Sequence, residues 1–376
     1  MSPPPPPPQP LGFFDPSTRP TYTPSQLSAY FTRISLPAHH RASPVLSDPS
    51  LAQTLAHGLP LLAALQRHSL AAIPFENLSL HYSTTHTIDI DPGALFAKIV
   101  SPNPNPLSTV SGTNADATGY TGRGGYCMEN STLLHTVLRS LGYTVHPTGA
   151  RVNESVQPQS AAPDWRGPRY DGWNHMVNLV TMEGRTFLVD VGFGSLGPTG
   201  PMELVGGRGR EVVNVPPAQR SRLRWGRIGD TVAGAGQELW VYEVCLGQRG
   251  DGDGDGAEEE EEWKEAYCFS TTEFLPRDFE VMSFFTSQSP TSWFTHMVVC
   301  SRMILGWEGE EGEKVIVGDV TLFNDEIKKR VAGKSEPLAV ITTEKERVAA
   351  LKEFLGIGLS TAEQEGIRGM QSEIKG

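Results

Sequence analysis

The chain has 376 residues, of which 38% are hydrophobic and 8% aromatic, an ordinary composition for a globular protein with room for two or three cores. Its formal net charge of −12 argues against nucleic acid or an anionic membrane surface as a partner. No stretch approaches the roughly 20 continuous apolar residues that span a bilayer, and the N-terminus lacks the pattern of a secretory signal, so we expect a cytoplasmic protein.

The N-terminal part is predicted to be a tail followed by a helical bundle. Residues 1–20 contain six consecutive prolines and are expected to be a disordered Pro-rich tail. Residues 21–143 then carry apolar side chains at three- and four-residue spacing, with a break near Gly58, which predicts a bundle of helices. The segment 101–122 is rich in Ser, Asn, Pro and Gly and is predicted to be an exposed loop inserted in that bundle.

A cysteine lies where a glycine turn becomes the last helix of this bundle. The run Arg123-Gly124-Gly125-Tyr126-Cys127 precedes a helical pattern of leucines that begins around Glu129. The first turn of a helix has unsatisfied N–H groups and partial positive charge, which favours a thiolate, so we interpret Cys127 as a nucleophile. Arg123 is expected to pair with Glu76 in a structural role.

The remaining cysteines, Cys245, Cys268 and Cys300, show no C-x-x-C spacing and are interpreted as small buried hydrophobic residues. Neither a disulfide framework nor a metal site is therefore expected. Cys127 could also be such a residue, and its position at the helix start is the argument against that alternative.

Beyond the bundle the periodicity becomes two-fold. Residues 144–246 alternate apolar and polar side chains, which predicts an antiparallel β-barrel with a hairpin turn at Glu183-Gly184. Residues 247–262 form an acidic flexible insertion without the spacing of a calcium loop. Residues 263–360 mix strand and helix patterns and are predicted to be an α/β lid, and residues 361–376 a polar tail.

A cysteine nucleophile needs a base, and the base needs a group that fixes its orientation. His175 opens one predicted strand and Asp190 closes the next, so a hairpin between them would bring the two side chains together. Each has an alternative interpretation, since Asp190 could cap a turn and His175 could be an ordinary residue at a strand end. A Cys127–His175–Asp190 triad fits acyl chemistry but does not separate a transferase from a thiol hydrolase.

Four blocks of sequence together resemble the arylamine N-acetyltransferase family. They are Pro74-Phe75-Glu76-Asn77-Leu78, Arg123-Gly124-Gly125-Tyr126-Cys127, His175-Met176-Val177 with Val189-Asp190-Val191-Gly192-Phe193-Gly194, and the segment from Asp278-Phe279-Glu280 to Ser292-Trp293-Phe294. The resemblance extends over residues 20–360 apart from the loops and tails. The combined blocks are far more specific than any single one.

The resemblance implies an α+β fold with an N-terminal helical bundle, a central antiparallel β-barrel and a C-terminal α/β lid around a cysteine-protease-like Cys-His-Asp core. It also implies acetyl-CoA or another short-chain acyl-CoA as acyl donor and an arylamine or hydrazine as acceptor, with a role in xenobiotic metabolism. We expect a monomer. The alternatives are a cysteine hydrolase or transglutaminase-like enzyme with the same triad, and a non-enzymatic binding protein that uses the proline tail or the acidic run.

Carried over to this sequence, the family's roles make Cys127 the acyl carrier, His175 the base and later proton donor, and Asp190 the residue that orients it. The expected cycle is ping-pong, with an acyl-cysteine between its two halves.

The resemblance also suggests binding residues. Phe193 would line the acceptor pocket with Phe75 and Tyr126 nearby, and Gly172 and Trp173 would face the coenzyme cleft.

Two departures from the family pattern concern selectivity. Ser131 stands where many members have Asn, and the residues after the Gly192-Phe193-Gly194 turn, starting with Ser195, are small or apolar. The identity of the acyl group, whether acetyl, propionyl or malonyl, therefore stays open at this point.

Overall fold

The computed structural model of the chain describes residues 16–102, 121–161, 163, 165–207, 209–217, 219–246, 262–307 and 313–376. Most of the expected proline tail, of the loop before Arg123 and of the acidic insertion lies outside these residues. Within the described residues, no helix combines the length and the apolar character that crossing a membrane requires.

The helices in the described residues are α1 (Pro24–Arg33), α2 (Ala38–Arg41), α3 (Gly58–Ala72), α4 (Leu78–His81), α5 (Pro92–Leu95), α6 (Cys127–Ser140), α7 (Pro276–Gln288), α8 (Glu344–Leu355) and α9 (Thr361–Gly366). The strands are β1 (Phe75–Glu76), β2 (Thr144–Val152), β3 (His175–Met182), β4 (Arg185–Val189), β5 (Met202–Glu203), β6 (Val212–Val215), β7 (Gln219–Gly226), β8 (Leu239–Leu246), β9 (Trp263–Phe269), β10 (Val299–Trp307), β11 (Lys314–Phe323), β12 (Glu326–Val331) and β13 (Lys334–Val340).

The N-terminal helices pack as the periodicity predicts. Thr23 and Gln26 form a capping box that starts α1, and the predicted break near Gly58 is the point where α3 begins. Apolar side chains of α1, α3 and α6 meet in one core in which Tyr30, Leu65 and Leu138 are fully buried. Burying a large apolar side chain contributes roughly 1.5–3 kcal/mol, so this contact fixes α6 against the bundle.

The central sheet has eight antiparallel strands in the order β5-β4-β3-β2-β9-β8-β7-β6. The predicted α+β fold with an antiparallel β-barrel is confirmed as a barrel-like sheet that follows the helices. The hairpin between β3 and β4 turns at Glu183 and Gly184, both with positive φ, as their sequence indicated.

One predicted boundary is wrong. Residues 263–269 were assigned to the lid, but β9 lies between β2 and β8 and belongs to the eight-stranded sheet. The acidic insertion is therefore the connection of the β8–β9 hairpin rather than a boundary between two units. Charge in a connection says little about whether the next strand returns to the same sheet.

A second sheet has the order β1-β10-β11-β12-β13 and joins distant parts of the chain. Its first strand comes from the helical part, where Phe75 pairs with Ser301 of β10. One face packs against α8, with Leu322 and Leu351 fully buried between them. Ser301 and Thr321, on β10 and β11, line the cavity of the candidate site.

The predicted polar tail at 361–376 is wrong in part, because these residues pack on the protein. Helix α9 occupies its first six positions, Ile367 is buried, and Ser372 Oγ lies 2.7 Å from His81 Nδ1. The guanidinium of Arg347, which is fully buried on α8, donates to the Ser372 carbonyl at 2.8 Å and to the Tyr82 hydroxyl at 2.6 Å.

We predict that Arg347→Met lowers the free energy of unfolding by about 3 kcal/mol, because it removes a buried cation and leaves its partners without donors. Urea unfolding followed by circular dichroism measures this. Lys352→Met, on the exposed side of the same helix, is the matched control and should change stability by less than about 0.5 kcal/mol. Equal effects of the two substitutions would contradict the assignment.

Candidate active site

The candidate nucleophile begins a helix. Cys127 is the first residue of α6, two positions earlier than the sequence indicated, and is only 3% exposed. The Glu129 carboxylate accepts the Tyr126 amide at 3.0 Å and so caps the helix start. The N–H groups of a first helical turn have no partner within the helix, and they favour negative charge at the position of Cys127.

Strand β1 holds the turn before the nucleophile. The Glu76 amide donates to the Gly125 carbonyl at 3.0 Å, and the Gly125 amide donates to the Pro74 carbonyl at 3.3 Å. Asn130 Nδ2 adds bonds to the same two carbonyls at 2.8 and 3.2 Å. A side chain at Gly124 would place its Cβ 1.9 Å from the Pro74 oxygen, so only glycine permits this approach.

A buried ion-pair network lies beneath this turn. The expected pair between Arg123 and Glu76 is confirmed, with Nε and Oε1 3.0 Å apart, and Arg123 also binds Glu363 at 2.7 Å. Lys98 lies 2.7 Å from the Glu129 carboxylate and 3.7 Å from that of Glu76. Burial favours the neutral acid, but the charges of Arg123 and Lys98 lower the pKa of Glu76 to about 2.

The candidate base and its partner form a buried pair. His175 Nε2 lies 2.8 Å from Asp190 Oδ2, and each residue is 1% exposed. Residue 178 pairs with residue 189 across the β3–β4 hairpin, and continuing that register makes His175 and Asp190 diagonal neighbours on one face. The other carboxylate oxygen of Asp190 accepts the Gly192 amide at 2.7 Å.

Electrostatics favour the protonated imidazole. Burial by itself lowers the pKa of His175, but the charge of Asp190 and hydrogen bonds to Asp190 and Cys127 raise it to about 10. Because Nε2 faces Asp190, Nδ1 is the ring atom left for the thiol. The structure thus places Cys127 and Asp190 on either side of His175.

Aromatic rings enclose the imidazole. The ring centroids of Phe193 and Tyr267 lie 5.1 and 5.2 Å from that of His175. Burial and the neighbouring charge of Asp190 raise the pKa of Tyr267 well above its usual value, which keeps the phenol neutral. Tyr267 was missed in the sequence because it lies on β9, which the sequence placed in the lid.

A glycine allows the strand end to approach the nucleophile. A Cβ on Gly192 would lie 2.6 Å from the Cys127 Cα and 3.0 Å from its Cβ. These distances are far inside van der Waals contact, so any larger residue at this position would displace the Cys127 backbone.

A cavity of about 250 Å³ opens beside Cys127 and His175. Its apolar wall contains Phe75 and Phe193, the two predicted substrate-binding phenylalanines, together with Phe294. Trp293 and Phe294 were part of the sequence block quoted for the resemblance but were given no role there. Hydroxyl and amide side chains also line the cavity: Gln157, Asn174, Ser195, Ser301 and Thr321.

Three predicted binding residues do not line this cavity in the described part of the chain. Tyr126 is fully buried, with its ring 5.8 Å from that of Phe294 and its hydroxyl bonded to Ser283. It therefore packs against a residue that lines the cavity without lining the cavity itself. Trp173 packs against Phe274 at 5.3 Å and under the Arg151 guanidinium at 4.1 Å. Gly172 has open space where a Cβ would be.

The departure at Ser131 has a structural account. Its hydroxyl donates to the Met176 carbonyl at 3.0 Å, and its own carbonyl accepts from Asn178 Nδ2 at 3.0 Å. These bonds join α6 to β3, the elements that carry the nucleophile and the base.

A group of possible metal ligands is found elsewhere in the described residues. Ligand atoms of His39, His40 and Glu313 lie within 4.8 Å of one another. None of the three lines the cavity beside Cys127.

Comparison with known proteins gives consistent matches. The family model described as N-acetyltransferase matches residues 58–103 and 116–364. A protein of Fusarium pseudograminearum called N-malonyltransferase FDB2 is 41% identical over 351 residues, 93% of each chain. The protein of that name from Gibberella moniliformis is 37% identical over 358 residues, 94% of each chain.

Solved structures share the fold. The arylamine N-acetyltransferase of Nocardia farcinica is 26% identical, with a TM-score of 0.61 covering 91% of this chain and 92% of that chain. The Mycobacterium marinum arylamine N-acetyltransferase, solved in complex with CoA, is 24% identical, with a TM-score of 0.62 covering 93% of this chain and 99% of that chain.

We predict that Asp190→Asn lowers the pKa of His175 well below the value of about 10, because the charge of Asp190, which opposes the effect of burial most strongly, is removed. NMR titration of the imidazole in wild type and variant measures this. Since the folded pKa of His175 is raised, the stability it contributes is fully present below pH 6.5 and is lost as the pH rises toward 10. An unchanged imidazole titration in the variant would contradict the assignment.

We also predict that Gly192→Ala slows alkylation of Cys127 by iodoacetamide and destabilises the fold by about 1–3 kcal/mol, because the added methyl displaces the nucleophile's backbone. Mass spectrometry of the Cys127 peptide and thermal unfolding measure the two effects. Gly200→Ala is the control, since a Cβ there meets nothing within 4 Å. Alkylation of Gly192→Ala at the control's rate would refute the steric argument.

Proposed function

Because this chain belongs to the arylamine N-acetyltransferase family and is an acyltransferase of that family, we propose that it transfers a short acyl group from an acyl-CoA to an arylamine or hydrazine through an acyl-cysteine. The observation that carries the proposal is the Cys127–His175–Asp190 arrangement at the wall of a cavity. The family membership predicted from the sequence blocks is confirmed by the match over most of the chain.

In the first half of the proposed cycle, His175 Nδ1 holds the proton of the Cys127 thiol, and the sulfur attacks the thioester carbonyl of the donor. The raised pKa of His175 supports this, because a protonated imidazole beside the sulfur stabilises a thiolate. Backbone amides at the start of α6 are candidates to bind the oxyanion. The tetrahedral intermediate collapses, His175 gives its proton to the CoA sulfur, and CoA leaves.

In the second half, the amine attacks the acyl-cysteine while His175 accepts a proton from its nitrogen. Cys127 then leaves as the thiolate and the amide product is released. Asp190 keeps the imidazole in one orientation through both halves, since its two oxygens are held by His175 and the Gly192 amide.

Transfer to an amine requires that water does not reach the acyl-cysteine. Cys127 and His175 are 3% and 1% exposed, and the wall formed by Phe75, Phe193 and Phe294 is apolar. This favours the transferase over the alternative of a cysteine hydrolase or transglutaminase-like enzyme with the same triad. Arylamines suit the same wall, because aromatic rings pack favourably edge to face.

The acyl group is the finer part of the proposal. The two fungal relatives at 41% and 37% identity are called N-malonyltransferases, whereas the solved bacterial structures are of arylamine N-acetyltransferases at lower identity. We therefore propose malonyl-CoA as the preferred donor and acetyl-CoA as a second donor. The sequence alone had left acetyl, propionyl and malonyl open.

We predict that Cys127→Ala lowers the rate of amide formation from acyl-CoA and an aniline by more than about a thousandfold, because no acyl-enzyme forms. Product is followed by liquid chromatography. Cys245→Ala, which removes another buried thiol at 4% exposure, is the control and should keep the wild-type rate within about twofold. Normal turnover by Cys127→Ala would refute the mechanism.

A further inference from the structure

Three hydroxyls that line the cavity have hydrogen-bond partners that fix the direction of their protons. Ser195 follows the Gly192-Phe193-Gly194 turn, and Ser301 and Thr321 lie on β10 and β11. All three line the cavity beside Cys127. A hydroxyl has one O–H to donate. If a neighbouring group accepts that O–H, only lone pairs are left for a ligand, and if the neighbour is itself a donor, the O–H is left for the ligand.

Ser195 is oriented by Arg330 of β12. Arg330 Nη2 donates to Ser195 Oγ at 2.7 Å. A guanidinium has no acceptor, so it cannot take the serine's proton. Ser195 therefore offers its O–H to the cavity, and the adjacent cation strengthens it as a donor.

Ser301 and Thr321 are oriented the opposite way. Thr321 Oγ1 donates to Asp319 Oδ1 at 2.8 Å. Its proton is thus used, and in the Ser301–Thr321 contact of 2.9 Å the donor must be Ser301. Both hydroxyls are left with lone pairs for the cavity, which suit N–H groups.

One ion pair accounts for the orientation of both kinds of hydroxyl, because Arg330 contacts Ser195 and Asp319 contacts Thr321. Arg330 Nη2 lies 3.0 Å from the Asp319 carboxylate, and the two residues face each other in the β11–β12 register. Asp319 is buried, and Arg330 is partly exposed, with 42% of its side chain accessible. The carboxylate is thereby neutralised and does not repel an anion at Ser195.

We infer that Ser195 receives the free carboxylate of a dicarboxylic acyl group carried on Cys127, with Arg330 as the positioning residue that makes Ser195 a donor. This inference rests on the proposed function. An anion beside Phe75 and Phe193 would lose hydration without compensation unless it met a donor, and the cation-backed hydroxyl of Ser195 supplies one. The methyl of an acetyl group would leave that donor unused, so the Ser195 hydroxyl favours malonyl over acetyl.

The test measures acylation alone. Enzyme is mixed with malonyl-CoA or acetyl-CoA without an amine, and the rate of CoA release in a single turnover is recorded for each donor. Arg330→Met and Ser195→Ala are expected to lower the malonyl-to-acetyl ratio of these rates by about ten- to hundredfold, the range for loss of a charge-assisted hydrogen bond. Lys334→Met, an exposed cation at the start of β13, is the matched control and should keep the wild-type ratio.

Two outcomes would overturn the inference. The ratio could stay within about threefold of wild type in both variants while wild type is acylated by both donors. Alternatively, the variants could slow only the second half-reaction, and only with 4-aminobenzoate and not with aniline. Ser195 would then bind the carboxylate of the amine and not that of the acyl group. Absence of CoA release from wild type with either donor would instead refute the proposed function. Far-ultraviolet circular dichroism of each variant identifies any loss of fold, and Ser195→Ala removes only one oxygen.

Discussion

The buried contact between His175 and Asp190 is the interaction on which the rest of the site depends. Taking an imidazolium and a carboxylate out of water costs several kcal/mol per ion unless their hydrogen-bonding groups are used. Here both carboxylate oxygens are occupied, one by the imidazole and one by the Gly192 amide. The same turn brings Gly192 against the backbone of Cys127, so one short segment orients the base and sets its distance from the nucleophile.

The site also joins the two sheets. The base and its acid come from one hairpin of the eight-stranded sheet, whereas β1 of the five-stranded sheet holds the turn before Cys127. The charges of Arg123 and Glu76 lie beneath that turn and reach α9 through Glu363. The position of the nucleophile therefore depends on residues that are far apart in the chain, from Glu76 to Glu363. Packing on the C-terminal segment is part of what holds Cys127 in place.

The parts of this site that the sequence predicted are local or carried by motifs. Cys127 was indicated by its glycine turn and helix, and His175 and Asp190 by a hairpin whose register can be read from one turn. Tyr267 could not be predicted, because its place beside His175 depends on β9 returning to the sheet after the acidic insertion. The orientation of Ser195 is equally non-local, since Arg330 lies 135 residues away along the chain. Tyr126 was assigned to the pocket by the family resemblance, but at the start of α6 it is fully buried in the core.

In the proposed mechanism the acyl group rests on one sulfur between two separate half-reactions. Rapid mixing of enzyme with labelled malonyl-CoA, without an amine, followed by quenching and peptide mapping tests this most directly. We expect one label per chain on the Cys127 peptide, which an added arylamine then removes as the amide. Release of CoA only after the amine is present, with no labelled peptide, would contradict it.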